Sequence, residues 1–292
     1  ELTLWPESFF TMLLSRLSLP GAKLYATTNP DSPAHWLKAR YLDRADELGL
    51  KRFHFLLEDN PALPKAYVEA LSREYTGLWH KRFILGLWVA AEGAIFDMFA
   101  AERHIVADLP RTRSGDLAFV RSNAGVDYGT SNPTVFLMLS QGADNCMYVH
   151  DEWRWDSRQR GRQMTDADYS REYGTWLKQV GVEPRWTFID PSAASFHAQL
   201  YRDGHKGITP ADNTVLDGIR NVAALLEADR LKFHGPTTQK IVEEFQSYAW
   251  DPKAQKLGED KPIKVADHGV DAARYVVRGT ENVWKRWLGS RY

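Results

Sequence analysis

The sequence has one cysteine, Cys146, which excludes an intrachain disulfide framework or a thiolate zinc cluster and suits a reducing cytosol. No apolar run approaches the ~20 residues that span a bilayer, and the first residues carry no signal-peptide pattern. Neither sign of charge dominates. A net charge of −1 gives no global attraction to nucleic acid, so any such contact has to come from a local basic surface. Repeats and low-complexity segments are missing. So is any Gly-x-x-x-x-Gly-Lys-Ser/Thr loop, and with it the backbone cradle that such a loop gives to nucleotide phosphates. The 292 residues have an ordinary globular composition and are long enough for two domains.

The chain begins Glu-Leu-Thr-Leu-Trp, without Met, and is read as a piece of something longer. Residues 1–60 have the pattern of the latter part of an α/β domain. A helical stripe of Phe9, Met12, Leu13 and Leu17 stops at Pro20-Gly21. An apolar strand, AKLYATT, follows and ends in Asn29-Pro30, with Asp31 or Ser32 as N-cap of a helix through Trp36, Leu37 and Tyr41. A second strand, KRFHFLL, runs into Asn60-Pro61. Residues 61–115 are a helical linker, and the domain boundary is expected in the polar stretch 108–115.

From residue 116 the pattern is dominated by strands. Residues 117–127 and 134–139 form a hairpin around a turn at 129–133, and 146–155 supply a third strand. Tyr169, Tyr173, Trp176, Leu177 and Val180 make a helical stripe closed by Gly181, and 185–189 form a short buried strand. Three antiparallel strands, then a fourth reached through a helix, is the order of an RNase H-like sheet, whose fourth strand lies parallel to the first. Asp127 and Asp190 would emerge side by side at the ends of those two strands. Asp267, His268 and Asp271 share one face of a late helix. Three carboxylates converging from unrelated stretches are the donor set of a Mg²⁺ or Mn²⁺ site, because these hard cations take oxygen ligands and leave room for substrate phosphate.

Several stretches, in order, resemble the large subunit of tailed-phage terminases, the motor and nuclease that packages DNA. YATTNPDSPAHWLKARYL resembles the coupling motif at the end of an ATPase strand; FLLEDNPALPKAYVEALSREYTGLWHKRFILGLWVAAEGAIFDMF resembles the linker; and GVDYG, FIDPSAASF and DHGVDAARY resemble the three acidic nuclease motifs. The resemblance covers nearly the whole chain. It implies an RNase H-like nuclease domain over 116–292, a mixed sheet flanked by helices, preceded by the C-terminal part of a P-loop-type ATPase domain over 1–60 and the linker. It makes Asp127, Asp190 and Asp271 the catalytic metal ligands, with His268 or Asp267 auxiliary, for two ions acting in endonucleolytic cleavage of double-stranded DNA. Glu1 falls where the ATPase keeps the glutamate that orients water, and Thr27, Thr28 and Asn29 fall on the coupling segment. ATP use is expected only of the full-length parent, since the phosphate loop is lacking here. Small subunit and portal are the implied partners, in the host cytoplasm, with a ring when assembled and no membrane.

Each residue also has a plainer reading. Strand-end aspartates form turns. Asp271 could pair with Arg274 on a helix surface, His268 could be a hydrogen-bonded residue, and Asp267 could be an N-cap. Arg154, Arg158, Arg160 and Arg162 either track a DNA backbone or belong to a solvated hairpin, while Trp153 and Trp155 are read as sheet packing. The alternatives for the whole chain are another RNase H-like nuclease of resolvase or transposase type, and a non-enzymatic docking module, which predicts no metal binding.

Overall fold

The computed structural model describes residues 1–130 and 132–289; the turn expected over 129–133 thus includes one residue, Ser131, outside the described ones. The chain forms two compact units. Glu1–Ile95 is joined by Ala249–Ile263 in the first, and Phe96–Tyr248 by the chain from Lys264 onward in the second.

The second unit is a mixed α/β structure around a seven-stranded sheet of order β1-β7-β4-β3-β2-β5-β6. Its strands are β1 (Ile105–Val106), β2 (Phe119–Asp127), β3 (Thr134–Gly142), β4 (Met147–Trp155), β5 (Thr187–Ile189), β6 (Ile208–Pro210) and β7 (Leu231–His234). β2, β3 and β4 are antiparallel neighbours, and β5 lies parallel to β2, as the strand order predicts. β3 is buried at every position, which its near-continuous apolar run requires of a strand covered on both faces. Its polar Ser140 is satisfied internally, donating to Ser122 Oγ at 2.6 Å and meeting His150 Nε2 at 2.8 Å.

Helix Asp166–Val180 makes the crossover from β4 to β5. Thr165 and Asp168 close a capping box at its start, and Gly181 ends it in the left-handed region at φ 69°. The expected stripe of Tyr169, Tyr173, Trp176 and Leu177 packs on Ala124, Val126, Phe136 and Met138 of the sheet, together with helix Ala194–Arg202. The opposite sheet face carries helix His268–Gly279. Gly125 permits its close approach: a Cβ there would run into the backbone carbonyl of Ala272.

The first unit has no strand among the described residues. The strands expected over 22–28 and 51–57 are corrected accordingly: among the described residues neither segment is part of a strand ladder, and an apolar period becomes a strand only when a partner takes up its backbone groups along its length. Helices do form at Glu7–Ser15, Trp36–Arg40 and Lys65–Glu74. The cap of Trp36–Arg40 is neither Asp31 nor Ser32. His35 takes that position, its Nδ1 accepting from Leu37 N at 3.2 Å. Asp31 is engaged elsewhere, since Arg82 Nη1 lies 3.0 Å from its Oδ1 and also binds Asp260 from the returning segment.

Candidate active site

Strand alternation decides which way two of the aspartates face. Ala124 and Val126 point into the core beneath helix Asp166–Val180, so Gly125 and Asp127 face helix His268–Gly279. On β5, Ile189 shares the core with Val126, its register partner, while Phe188 turns to the other face against Gly279. Asp190, one residue further, is on the same side as Asp127. Neighbouring strands are about 4.8 Å apart, so two parallel strands ending in register deliver two carboxylates to one place.

The third comes from the helix that covers them. Asp271 accepts from Arg274 Nη2 at 2.6 Å and Nε at 3.1 Å through Oδ1, and Lys264 Nζ is 3.1 Å from its Oδ2. Asp267 is at the N-cap position but makes no side-chain cap bond. Lys264 Nζ lies 3.1 Å from its Oδ2, an oxygen that is buried and has no hydrogen bond. His268 Nδ1 meets Asp127 Oδ2 at 2.8 Å. Asp190 Oδ1 accepts from Ser192 N at 2.9 Å, as a turn-forming aspartate does, and Tyr275 donates to its Oδ2 at 3.4 Å.

The electrostatics place these groups in one space. Burial pushes the Asp127 carboxyl up to about 6, the His268 bond opposes this, and the charges of Asp271 and Asp190 add to the rise. The His268 imidazole is in turn raised, chiefly by its bond to Asp127. Tyr275 is shifted strongly upward, first by burial and then by Asp127, Asp271 and Asp190 together. One phenol therefore feels all three carboxylates. They line a cleft of about 970 Å³ whose rim includes Arg158, Arg160 and Lys240.

Among the described residues, no three His, Cys, Asp or Glu side chains are already gathered into a coordination set. Each carboxylate is instead turned to a donor of the protein. The donors nonetheless fit a divalent cation in kind: they are carboxylates, mutually repelling and largely buried, and an ammonium stands between two of them. Asp127, Asp190, Asp267, His268 and Asp271 are brought together. Glu1, Thr27, Thr28 and Asn29 belong to the first unit, where Leu2 N donates to Thr27 O at 3.0 Å and Thr3 N to Thr28 Oγ1 at 3.0 Å.

Arg154 differs from both expectations for it. It is clamped between Glu152, at 2.8 Å, and Glu244, so it is neither solvated nor free to track a backbone. Arg160 lies 4.9 Å above the Trp155 ring, and Trp153 stacks on Phe136 at 4.4 Å as sheet packing. Three contributors escaped the sequence reading. Glu244 accepts from Gly269 N at 2.6 Å and Val270 N at 3.2 Å, capping the helix that bears His268 and Asp271. Its position between Ile241 and Phe245 on the buried face of Gln239–Ser247 was the available signal, because a carboxylate on an apolar stripe needs a partner. Lys264 and Tyr275 had no such signal.

No protein-family model matches the chain. It is 39% identical to the large terminase of a thermophilic bacteriophage, with a TM-score of 0.86, over 97% of this chain and 67% of that one. The same thermophilic-phage protein has also been solved in complex with ADP, a structure matched at 40% identity and a TM-score of 0.85 over 95% of this chain and 67% of that one. The terminase large subunit of Escherichia phage T5 is 26% identical over 278 residues, which is 92% of this chain; the chain spans 61% of the T5 protein's length. The nuclease domain of the P22 large terminase, 17% identical, matches 68% of this chain and 98% of its own with a TM-score of 0.51, a likeness of fold.

Proposed function

The chain belongs to the terminase large-subunit family of tailed phages, and on that premise we propose that its second unit is a metal-dependent, RNase H-like endonuclease that cuts double-stranded DNA during genome packaging. The observation that carries this reading is the convergence of Asp127, Asp190 and Asp271 on one cleft, from the ends of two parallel strands and from the helix covering them.

In this reading Asp127, Asp190 and Asp271 hold Mg²⁺ or Mn²⁺, with Asp267 or His268 auxiliary. Two such ions, when bound, supply Lewis acidity on both sides of a phosphodiester. The protein's own groups do the rest. Asp127 feels the charges of both other carboxylates and orients His268 through Nδ1. Glu244 fixes the start of the helix that carries two of the donors. Arg158, Arg160 and Lys240 on the rim offer cations to DNA phosphates. Water adds across the P–O3′ bond, leaving a 5′ phosphate and a 3′ hydroxyl. Ligands that grip metal and phosphate carry no base readout, so cutting is expected to be indifferent to sequence.

The first unit is read as the ATP-handling side of the motor, with Glu1 beside the nucleotide and Thr27, Thr28 and Asn29 as the coupling segment. The thermophilic-phage terminase has been solved with ADP and with ATP-γ-S. ATP use is proposed of the full-length parent. Small subunit, portal and host cytoplasm complete the proposal.

Supercoiled plasmid incubated with the protein and Mn²⁺ or Mg²⁺ tests it. Nicking and linearisation without discrete fragments are expected, stopped by EDTA and lost by at least about a hundredfold in Asp127→Ala with its circular dichroism unchanged. Cleavage that survives EDTA, or that persists in Asp127→Ala, rejects the assignment.

A further inference from the structure

We infer that Lys264 is the resident counter-ion of the acidic cleft: it holds Asp267 and Asp271 together in the metal-free protein, must leave when a divalent ion is taken up, and so sets the site's metal affinity. The inference rests on the metal-site reading above and adds a residue that the reading does not use.

Two cations serve Asp271, and they differ. Arg274 is bound to Oδ1 by two nitrogens, and its side chain is 2% exposed, so it is fixed in place. Lys264 takes the other oxygen, and its side chain is 57% exposed. Its Nζ is equidistant, at 3.1 Å, from Oδ2 of Asp267 and Oδ2 of Asp271, which lie one helical turn apart with side chains 7% and 12% exposed. A cation is thus already in place between two nearly buried carboxylates, on a flexible stem that reaches in from solvent. Arginine's fork suits a permanent pair; lysine's point charge on four methylenes suits one that is exchanged.

Lys264 is the one cation paired with Asp267 among the described residues, whereas Asp271 also has Arg274. Ala266, between Lys264 and Asp267, sits at φ 49°, a strained conformation for a residue with a Cβ. The turn that returns the ammonium to the cleft is therefore held by its ion pairs and not by backbone preference. Removing Lys264 leaves the carboxylates repelling one another and open to another cation. The metal-free protein should lose stability, and the metal should bind more tightly.

Calorimetric titration of Mn²⁺ at pH 7 into wild type, Lys264→Met, Lys264→Arg and Asp127→Ala tests this. Lys264→Met is expected to bind roughly five- to tenfold more tightly than wild type, the worth of a part-exposed ion pair, while Lys264→Arg stays near wild type. In EDTA, Lys264→Met should melt lower, with a larger upward shift on adding Mn²⁺. A merely structural lysine predicts the reverse, with stability and affinity falling together. Wild-type protein gives a readout that needs no variant: acetylation of Lys264 by an amine-reactive ester, followed by peptide mass spectrometry, should speed up several-fold when Mn²⁺ is added. Equal or weaker Mn²⁺ binding in Lys264→Met, or unchanged acetylation, overturns the inference alone. Absence of Mn²⁺ binding by wild type overturns the metal site and this inference with it.

Discussion

In the second unit all nine residues of β3 are buried, whereas in the first the apolar runs leave Tyr25, Phe53 and Phe55 at 84%, 75% and 76% exposure. The same sequence signal, a short run rich in aromatic and aliphatic residues, forms a sheet in one place and chain without a strand ladder in the other. Side chains define which face a strand would bury, but the strand exists only if a neighbour accepts its hydrogen bonds. Where strands are missing, charge takes over. The first unit is pinned by Arg82, whose side chain is 5% exposed and which binds Asp31, Asp260 and the Val89 carbonyl, the last at 2.6 Å from Nη2.

The largest expected effect breaks that pin. Arg82→Ala leaves the Asp260 carboxylate, 3% exposed, without its cation and should cost about 3 kcal/mol. Scanning calorimetry should show the loss, and the Mn²⁺-induced stabilisation assigned to the second unit should persist. Arg82→Lys should restore little, since lysine lacks the planar fork by which Nε and Nη2 reach the Val89 carbonyl while Nη1 reaches Asp31 and Asp260. A wild-type melting curve for Arg82→Ala would mean that the ionic network is incidental.

A smaller effect, set by pH, is expected in the second unit. The Asp127 carboxyl is pushed up to about 6 in the folded chain, so the folded state holds its proton more tightly than the unfolded one does. That contribution is complete below the ordinary value of a free aspartate, near 4, and is lost as pH rises through about 6. The raised imidazole of His268 acts in the same direction. In EDTA, Asp127→Asn should therefore gain on wild type by about 2 kcal/mol between pH 4 and pH 7, read from urea denaturation. With Mn²⁺ present the order should reverse. A constant difference across that range would place the carboxyl in an ordinary, solvated setting.

Least of all is expected from the exposed rings. Phe53→Ser with Phe55→Ser should shift stability by no more than about 0.5 kcal/mol, as surface changes do, while reducing the binding of an apolar dye. A large loss of stability would show that those rings pack in solution.

The legible part of the molecule follows the same division. β2 to β5 and their crossover were readable because a strongly periodic helix and bounded apolar runs sit beside one another in sequence, and Asp127 and Asp190 could be placed because each ends such a run. Asp267, His268 and Asp271 shared a helical face by spacing alone. What could not be read is made by long-range pairing. Arg82 and Asp260 are 178 residues apart, and no local pattern marks either. Glu244 carried a faint mark, as a charge on an apolar stripe. Lys264 carried none, because an exposed lysine before a helix is commonplace until the fold brings two carboxylates to it. The strands expected in the first unit failed for the complementary reason, a local pattern without a distant partner.

The excursion 249–263 bears on how the molecule can be taken apart. A polypeptide started at Phe96 would carry that stretch stripped of its company, with Trp250 lacking Trp79 and Asp260 lacking Arg82. Yet the base of the excursion is closed on itself: Ile263 N donates to Ala249 O at 2.9 Å, and Asp251 N to Lys261 O at 2.8 Å. Its two ends are adjacent, so a few residues of linker between Tyr248 and Lys264 suffice to replace it. A stand-alone version of the sheet unit therefore calls for two cuts and a splice, not a single truncation.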